Sequence, residues 1–489
     1  MKNKVLLILT LLLGFGFFLR IYNFQELFLY SHDQDLAGWF IKDVLVDRHL
    51  RLIGQETSTH GIFIGPFFYY LLIPFYIIFG MDPKGGVFLV ALLGLLTIFS
   101  LYFVFSKVFN QKVGLVASVL YTFSFYTIFN DREVVPTMPV ILWTVWFLYA
   151  LSLIFKGRLK KAFILLGVLL GLIWHLNAAL VLVLPLVLIT IFLSKRKIEY
   201  RSIFIGFSSL FLTTLPLIVF EIRHGFSQSR ALIISLTTNQ SDIVSGYEKF
   251  ARTLYLVGKN IRGFLWGDMV NIPNELLLIA SVILAYYLYS KKVITRNWVI
   301  VIFSWILIYV TFFSLYSKVI SEYYLNGLLV VWIIVFATFT THLLSKNKLR
   351  NIGYVLVLLF VGANLYRFFT IPINKSGYKY KKAIVEEIKA NAESYGYPCV
   401  AVSYITDPGL NMGYRYFFWR KGLHVNRPDS GSPVYTIVYP LKDIFPVDKT
   451  FGALGLIYPE YTIYDPDSVK NSCSGEDSNL TDPLFGYTE

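Results

Sequence analysis

Residues 30–39 read YSHDQDLAGW and follow an apolar run, from Val5 to about Tyr22, that is long enough to cross a bilayer. Two carboxylates, Asp33 and Asp35, thus stand beside His32 at the exit of the first hydrophobic helix. The chain around them is 56% hydrophobic and only 15% charged, with a mean hydropathy of +0.60. Apolar runs of this length recur through most of the 489 residues, which excludes an ordinary soluble core and makes this a multi-spanning α-helical membrane protein.

A net charge of +14 raises the question of nucleic acid, and the location of the charge answers it. Residues 1–370 carry 32 Lys and Arg against 16 Asp and Glu, and residues 371–489 carry 12 against 14. The excess therefore lies in the membrane part, where it reports topology and predicts no nucleic-acid partner. Lys2 and Lys4 ahead of the first apolar run resemble a signal peptide, but no small-residue cleavage pattern follows, so a retained helix is expected.

Short basic connections mark the cytoplasmic side: Lys107/Lys112, Lys156/Arg158/Lys160/Lys161, Lys195/Arg196/Lys197/Arg201, Lys291/Lys292/Arg296 and Lys346/Lys348/Arg350. An even number of crossings must separate successive ones. Segments 112–129 with 137–155, 202–221 with 274–290, and 297–316 with 325–344 form such pairs, and 160–193 is long enough for two short helices broken at Trp174-His175-Leu176-Asn177. Counting Ile62–Phe79 as a crossing would reverse every later loop. Pro66 and Pro74 interrupt it, so it is expected to lie in the outer interface. About eleven transmembrane helices result, and one outer face collects Asn23–Gly85, the turn 130–137, His175, Glu221–Pro273, the turn 317–324 and everything after about Thr370.

Within the first outer loop, Leu36, Trp39, Phe40 and Val44 recur at helical spacing, which predicts an in-plane helix over Asp35–His49. The acidic pair at its start reads most simply as an N-cap. After Arg367 the composition turns soluble. A helix is expected over Tyr378–Ser394, strands at Cys399–Tyr404, Val434–Tyr439 and Leu454–Tyr458, and a short helix at Tyr414–Trp419. The chain therefore divides into a membrane domain, 1–370, and a small extracytoplasmic α/β domain, 371–489. Cys399 and Cys473 both fall in the latter and could pair there.

An ordered series of motifs runs along the outer face: His32-Asp33-Gln34-Asp35, Leu52-Ile53-Gly54 with Thr57-Ser58, Gly65-Pro66-Phe67-Phe68-Tyr69-Tyr70, Asn130-Asp131-Arg132-Glu133 before Pro136, Trp174-His175-Leu176-Asn177, Phe220-Glu221-Ile222-Arg223-His224-Gly225 and Glu322-Tyr323-Tyr324. In this order they resemble the membrane-embedded GT-C glycosyltransferases, in particular the branch of protein O-mannosyltransferases and lipid A aminoarabinose transferases. The resemblance implies a GT-C fold and transfer of a sugar from a dolichyl- or undecaprenyl-phosphate donor to a lipid, glycan or protein acceptor outside the cytoplasm. It places Asp33 at the catalytic carboxylate. Where that family commonly has Asn or Asp before the proline of the second outer turn, this chain has Val135, which leaves Asp131 or Glu133 for any second carboxylate role.

Such a transfer needs a base for the acceptor hydroxyl and cations for the departing phosphate. Asp33 is the expected base. Arg223, then Arg132 or Lys42, are the expected phosphate partners, and Asp35, Glu133, His175, Glu221, His224 and Tyr324 complete the set expected to bind donor phosphate or substrate. Mixed His/carboxylate sets bind divalent ions, so Glu56, His60, His175, Glu221 and His224 are candidate metal ligands, although their spacing is not compact. Each residue has a structural alternative: a surface ion pair for Arg132 and Glu133, a satisfied helix break for His175, a membrane-boundary anchor for Arg223. A transporter of lipid-linked or small polar solutes is the rival reading, but its charges would sit at mid-membrane and its halves would repeat. An O-antigen-ligase-type enzyme would carry a long outer loop with its catalytic Arg and His late in the chain.

Overall fold

The computed structural model describes residues 2–237, 244–442 and 445–481. Helix α1 (Lys2–Ile21) leads through α2 (Phe24–Leu27) into α3 (His32–Leu45) and α4 (Phe67–Ile78). There follow α5 (Lys84–Val108), α6 (Gln111–Phe123), α7 (Phe125–Asn130), α8 (Val140–Phe155), α9 (Leu159–Leu176), α10 (Leu184–Ser194) and α11 (Tyr200–Arg223). After α12 (Ser227–Thr237) and α13 (Gly246–Leu265) come α14 (Asn274–Ser290), α15 (Arg296–Leu315), α16 (Leu329–Ser345) and α17 (Arg350–Phe369).

Among the described residues, seven helices are long and apolar enough to cross a membrane: Lys4–Ile21, Lys84–Val108, Leu159–Leu176, Tyr200–Arg223, Arg296–Leu315, Glu322–Ser345 and Arg350–Phe369. Three shorter apolar helices, Val140–Phe155, Ala178–Ser194 and Asn274–Ser290, occupy further expected crossings, and the α6–α7 pair occupies the remaining one. With 12 residues, α4 extends only about 18 Å at 1.5 Å per residue, well short of a bilayer core. It packs beside α3 and α5, as an interfacial piece would. Pro74 sits inside α4 and does not break it; Pro66 stands at its N-cap.

Two cores organise the chain. The larger is the bundle, in which Leu101, Phe147, Leu169, Trp305 and Trp332 are buried. The long loop 221–273 contains α13, which places Val257, Ile261 and Phe264 at helical spacing into that same core. The second core lies where α3 and α4 meet the C-terminal segment. It joins Tyr30, Leu36, Trp39 and Phe40 around α3 to Tyr69 and Tyr76 of α4 and to the C-terminal residues Ile384, Val385, Tyr416 and Phe417.

The C-terminal segment forms α18 (Tyr378–Ser394), β1 (Cys399–Thr406), α19 (Arg415–Arg420), β2 (His424–Asn426), β3 (Val434–Tyr439), β4 (Lys449–Phe451), β5 (Leu454–Ile457), α20 (Pro466–Ser472) and α21 (Ser478–Thr481). The sheet order is β2-β1-β3-β5-β4. β1 runs parallel to β2 and β3, whereas β5 is antiparallel to β3 and β4. Cys399 and Cys473 are joined by a disulfide. The short edge strands β2 and β4 escape the sequence pattern because three residues are too few to show a period.

Asp82, in the turn before α5, ties this segment down: it accepts from Tyr378 Oη at 2.6 Å and pairs with Lys382 at 3.0 Å and Arg420 at 3.1 Å. Gly38 in α3 lets the Tyr416 ring approach; a Cβ there would stand 2.6 Å from it.

Candidate active site

Helix α3 begins at His32, three residues earlier than its apolar spacing implies, so Asp33 and Asp35 lie inside its first turn. The capping expected of them is performed by their neighbours: Gln34 Oε1 accepts from the Ser31 backbone N–H at 2.8 Å and from the Ser31 hydroxyl at 2.9 Å. The acids are thereby released for other contacts. Gln34 also donates to the Val134 carbonyl at 3.3 Å, which docks α3 on the 130–137 turn.

Asp33 is half-buried. Its Oδ1 accepts from Gln55 Nε2 at 3.1 Å, and Gln55 Oε1 accepts from Tyr69 Oη at 2.9 Å. This chain of bonds fixes the Asp33 carboxylate against the 51–57 loop and α4. Glu133, from the 130–137 turn, is reached by solvent yet enclosed by protein, as in a recess, and lies within electrostatic range of Asp33. Burial, and then the charge of Asp33, push the Glu133 carboxyl above its ordinary value. The Asp33 charge also reaches Tyr323, and that of Glu133 reaches Tyr126 together with the charge of Glu322. Glu322 pairs with Lys259 of α13 at 2.6 Å. Tyr324 stacks on Phe313 and its hydroxyl lies 3.4 Å from Ser58 Oγ.

The recess therefore places Tyr126 and Tyr323 within reach of the Asp33, Glu133 and Glu322 charges, with Lys259 paired to Glu322. Over 95% of its length this chain superposes on 100% of ArnT from Cupriavidus metallidurans bound to undecaprenyl phosphate, with a TM-score of 0.60 at 12% sequence identity. The chain has the GT-C fold. ArnT from Cupriavidus metallidurans in the apo state matches with a TM-score of 0.60 at 12% identity, over 95% of this chain and 99% of that one. The Archaeoglobus fulgidus oligosaccharyltransferase in complex with Zn and sulfate matches at a TM-score of 0.49 and 13% identity, over 88% of this chain and 67% of that one. The family described as dolichyl-phosphate-mannose-protein mannosyltransferase matches residues 64–220. No curated protein matches the sequence significantly.

Within this GT-C chain several residues expected at the site serve the scaffold instead. Asp35 is buried and faces the C-terminal segment: it accepts from Tyr30 Oη at 3.1 Å and from the Tyr416 backbone N–H at 3.2 Å, and burial pushes its carboxyl up to about 6. Asp131 is buried with Arg20 at 2.6 Å and accepts from Tyr121 Oη at 2.8 Å. That leaves Glu133 as the carboxylate of this turn that the Asp33 charge reaches. Arg132 forms no surface ion pair; it donates to the Leu19 and Tyr22 carbonyls, each at 2.9 Å, and so caps the C-terminus of α1.

His175 joins three elements. Its Nδ1 accepts from the Phe67 N–H at 3.3 Å, so Nε2 carries the proton donated to the Thr213 carbonyl at 2.9 Å. Both ring nitrogens are thus engaged by backbone. Glu221 accepts from the Gln228 and Ser229 N–H groups at 3.0 Å, holding the start of α12. His224 stacks on Phe220 with ring centroids 4.0 Å apart. Arg223 is exposed at the same end of α11. Lys42 pairs with Asp47 at 2.5 Å. Glu56 pairs with His60 at 2.8 Å. Among the described residues, no three His, Cys, Asp or Glu side chains stand close enough to share a metal ion, and the five candidate ligands are dispersed over separate contacts.

Three residues at the recess escaped the sequence reading. Gln55 has no motif signature, because its role is to bridge two groups from other elements. Tyr323 stands within the Glu322-Tyr323-Tyr324 motif, where only Tyr324 was singled out. Lys259 lies in α13; the spacing of Leu256, Asn260 and Phe264 would have revealed that helix.

Proposed function

We propose that the protein is a polyprenyl-phosphate-sugar-dependent glycosyltransferase acting at the extracytoplasmic surface, with Asp33 as base. The observation that carries this reading is the Asp33 carboxylate, held by Gln55 in the first turn of α3 and close enough to Glu133 for its charge to act there. The GT-C fold supports it, as do the undecaprenyl phosphate bound by the Cupriavidus ArnT and the dolichyl-phosphate-mannose donor in the description of the matching family. The basic turns at the opposite end, together with a disulfide in the C-terminal segment, favour an outer location for the recess.

The reaction is a single displacement. The acceptor hydroxyl oxygen bonds to the anomeric carbon as the bond from that carbon to the carrier phosphate oxygen breaks. The hydroxyl proton passes to Asp33, the electron pair of the broken bond stays on the phosphate, and the configuration inverts. Arg223, at the end of α11, and Lys259, paired with Glu322, supply positive charge and neutralise the polyprenyl phosphate that leaves. Glu133 orients the acceptor hydroxyl toward Asp33. The test is incubation of purified protein with a panel of polyprenyl-phosphate sugars, with and without chelator, following carrier release. Consumption by the wild type and none by Asp33→Asn is expected. Normal turnover by Asp33→Asn, or solute flux in vesicles without consumption of any donor, overturns the reading.

A further inference from the structure

The basic end of the bundle holds a feature that sugar transfer does not use. A cavity of about 270 Å³ opens between the α5–α6 turn, the α14–α15 turn and the last turns of α16. It lies roughly 25 Å from the Glu322–Leu328 turn at the recess, the length of the 17 residues of α16. Val108, Phe109 and Trp298 form its apolar wall, and Thr338, Thr341 and His342 its polar wall.

Three observations identify its ligand chemistry. First, Thr338 and Thr341 are more than nine-tenths buried, and their hydroxyls have no hydrogen-bond partner, although a helical threonine can satisfy itself on a carbonyl one turn back. Second, two helices begin at the cavity, α6 and the 20-residue α15. No side chain caps α15, so its first N–H groups present the positive end of its dipole. Third, the segments 104–116, 290–300 and 338–346 carry Lys107, Lys112, Lys291, Lys292, Arg296 and Lys346 and no Asp or Glu. The charges of Lys346 and Lys291 both reach His342. Hydroxyl donors, an uncapped helix start and cations, with no acid among them, select an anion; the apolar wall selects one attached to hydrocarbon.

We propose that this cavity binds the phosphodiester headgroup of an anionic membrane phospholipid, with the Thr338 and Thr341 hydroxyls turning into it about χ1 to donate to phosphate oxygens and Lys291 and Lys346 supplying charge at the mouth. The site lies at the opposite end of α16 from the recess and is independent of the transfer reaction.

The test measures retained lipid by native mass spectrometry after purified protein is exchanged into mixed micelles of phosphatidylglycerol or phosphatidylcholine. The wild type retains phosphatidylglycerol in preference to phosphatidylcholine. Thr338→Val/Thr341→Val, which keeps side-chain shape and removes both donors, retains about tenfold less, and Thr338→Ser/Thr341→Ser retains wild-type amounts. Lys291→Gln/Lys346→Gln changes only exposed residues, so it tests the site even if the valine variant does not fold, and its retention also falls about tenfold. Equal retention of the two lipids, or undiminished phosphatidylglycerol in the lysine variant or in a folded valine variant, overturns the proposal. Inorganic phosphate that raises the unfolding temperature as much as phosphatidylglycerol does also overturns it, by making the site one for a soluble anion.

Discussion

Asp33 and Asp35, two residues apart on α3, face opposite partners: Asp33 accepts from Gln55 at 3.1 Å on the bundle side, and Asp35 from the Tyr416 N–H at 3.2 Å on the C-terminal side. Successive helix positions turn by about 100°, so residues i and i+2 cannot share a face. One carboxylate enters the recess and the other anchors the domain above it.

Replacing Asp33 therefore tests chemistry with little effect on folding. Asp33→Asn should lower sugar transfer by roughly 10²–10⁴-fold, the usual weight of a general base, and leave the unfolding temperature nearly unchanged. It should also bring the Glu133 carboxyl closer to an ordinary glutamate, because the Asp33 charge is one of the two causes that raise it. The infrared carboxylate band of isotopically labelled glutamate, followed against pH, reads this directly. A Glu133 titration identical in the two proteins contradicts the electrostatic coupling of the two carboxylates.

Asp35 and Lys381 predict a pH signature in the docking of the C-terminal segment. The folded Asp35 carboxyl titrates at about 6 against 3.8 when free, so the folded state holds the extra proton between these values. Stability rises as pH falls through 6, the rise is complete below 3.8, and the ionised form costs about 3 kcal/mol above 6. Burial lowers Lys381 from 10.5 to about 8, so the folded state holds fewer protons there and stability rises again as pH climbs from 8 toward 10.5. Hydrogen exchange of α18 should show its weakest protection between pH 6 and 8. Asp35→Asn should flatten the acid branch alone.

The Arg20–Asp131 pair fastens α1 to the turn that carries Glu133, with both side chains fully buried. Asp131→Leu leaves the guanidinium without its counter-charge and should cost about 3–5 kcal/mol, seen as a lower unfolding midpoint in detergent. Arg20→Met/Asp131→Leu should recover most of the loss. Additive losses in the double variant would show that the two charges act independently.

Gly65 leaves room for His175: a Cβ at Gly65 would stand 2.1 Å from His175 Nδ1. Gly65→Ala should destabilise the protein, and adding His175→Ala should relieve part of the effect. His175→Gln should lower the unfolding temperature and preserve the KM for a polyprenyl-phosphate sugar. A selective rise in KM would return His175 to the binding site.

Much of this was legible in one dimension. Apolar runs give spanning helices because a backbone in hydrocarbon must satisfy its own hydrogen bonds, and helix α18 and strand β3 follow from period alone at their observed bounds. The acidic exit of α1 marked the site for the same reason, since charge collects where a chain leaves the membrane. What the sequence could not decide was which polar residues at that exit meet. Asp33 meets Gln55 and Lys259 meets Glu322 across long stretches of chain, whereas Asp131, Arg132 and His175 sit in equally suggestive motifs and are absorbed by Arg20, the end of α1 and the Thr213 and Phe67 backbone. Those assignments depend on which buried donor or acceptor each side chain must satisfy, and only the tertiary structure brings those partners together.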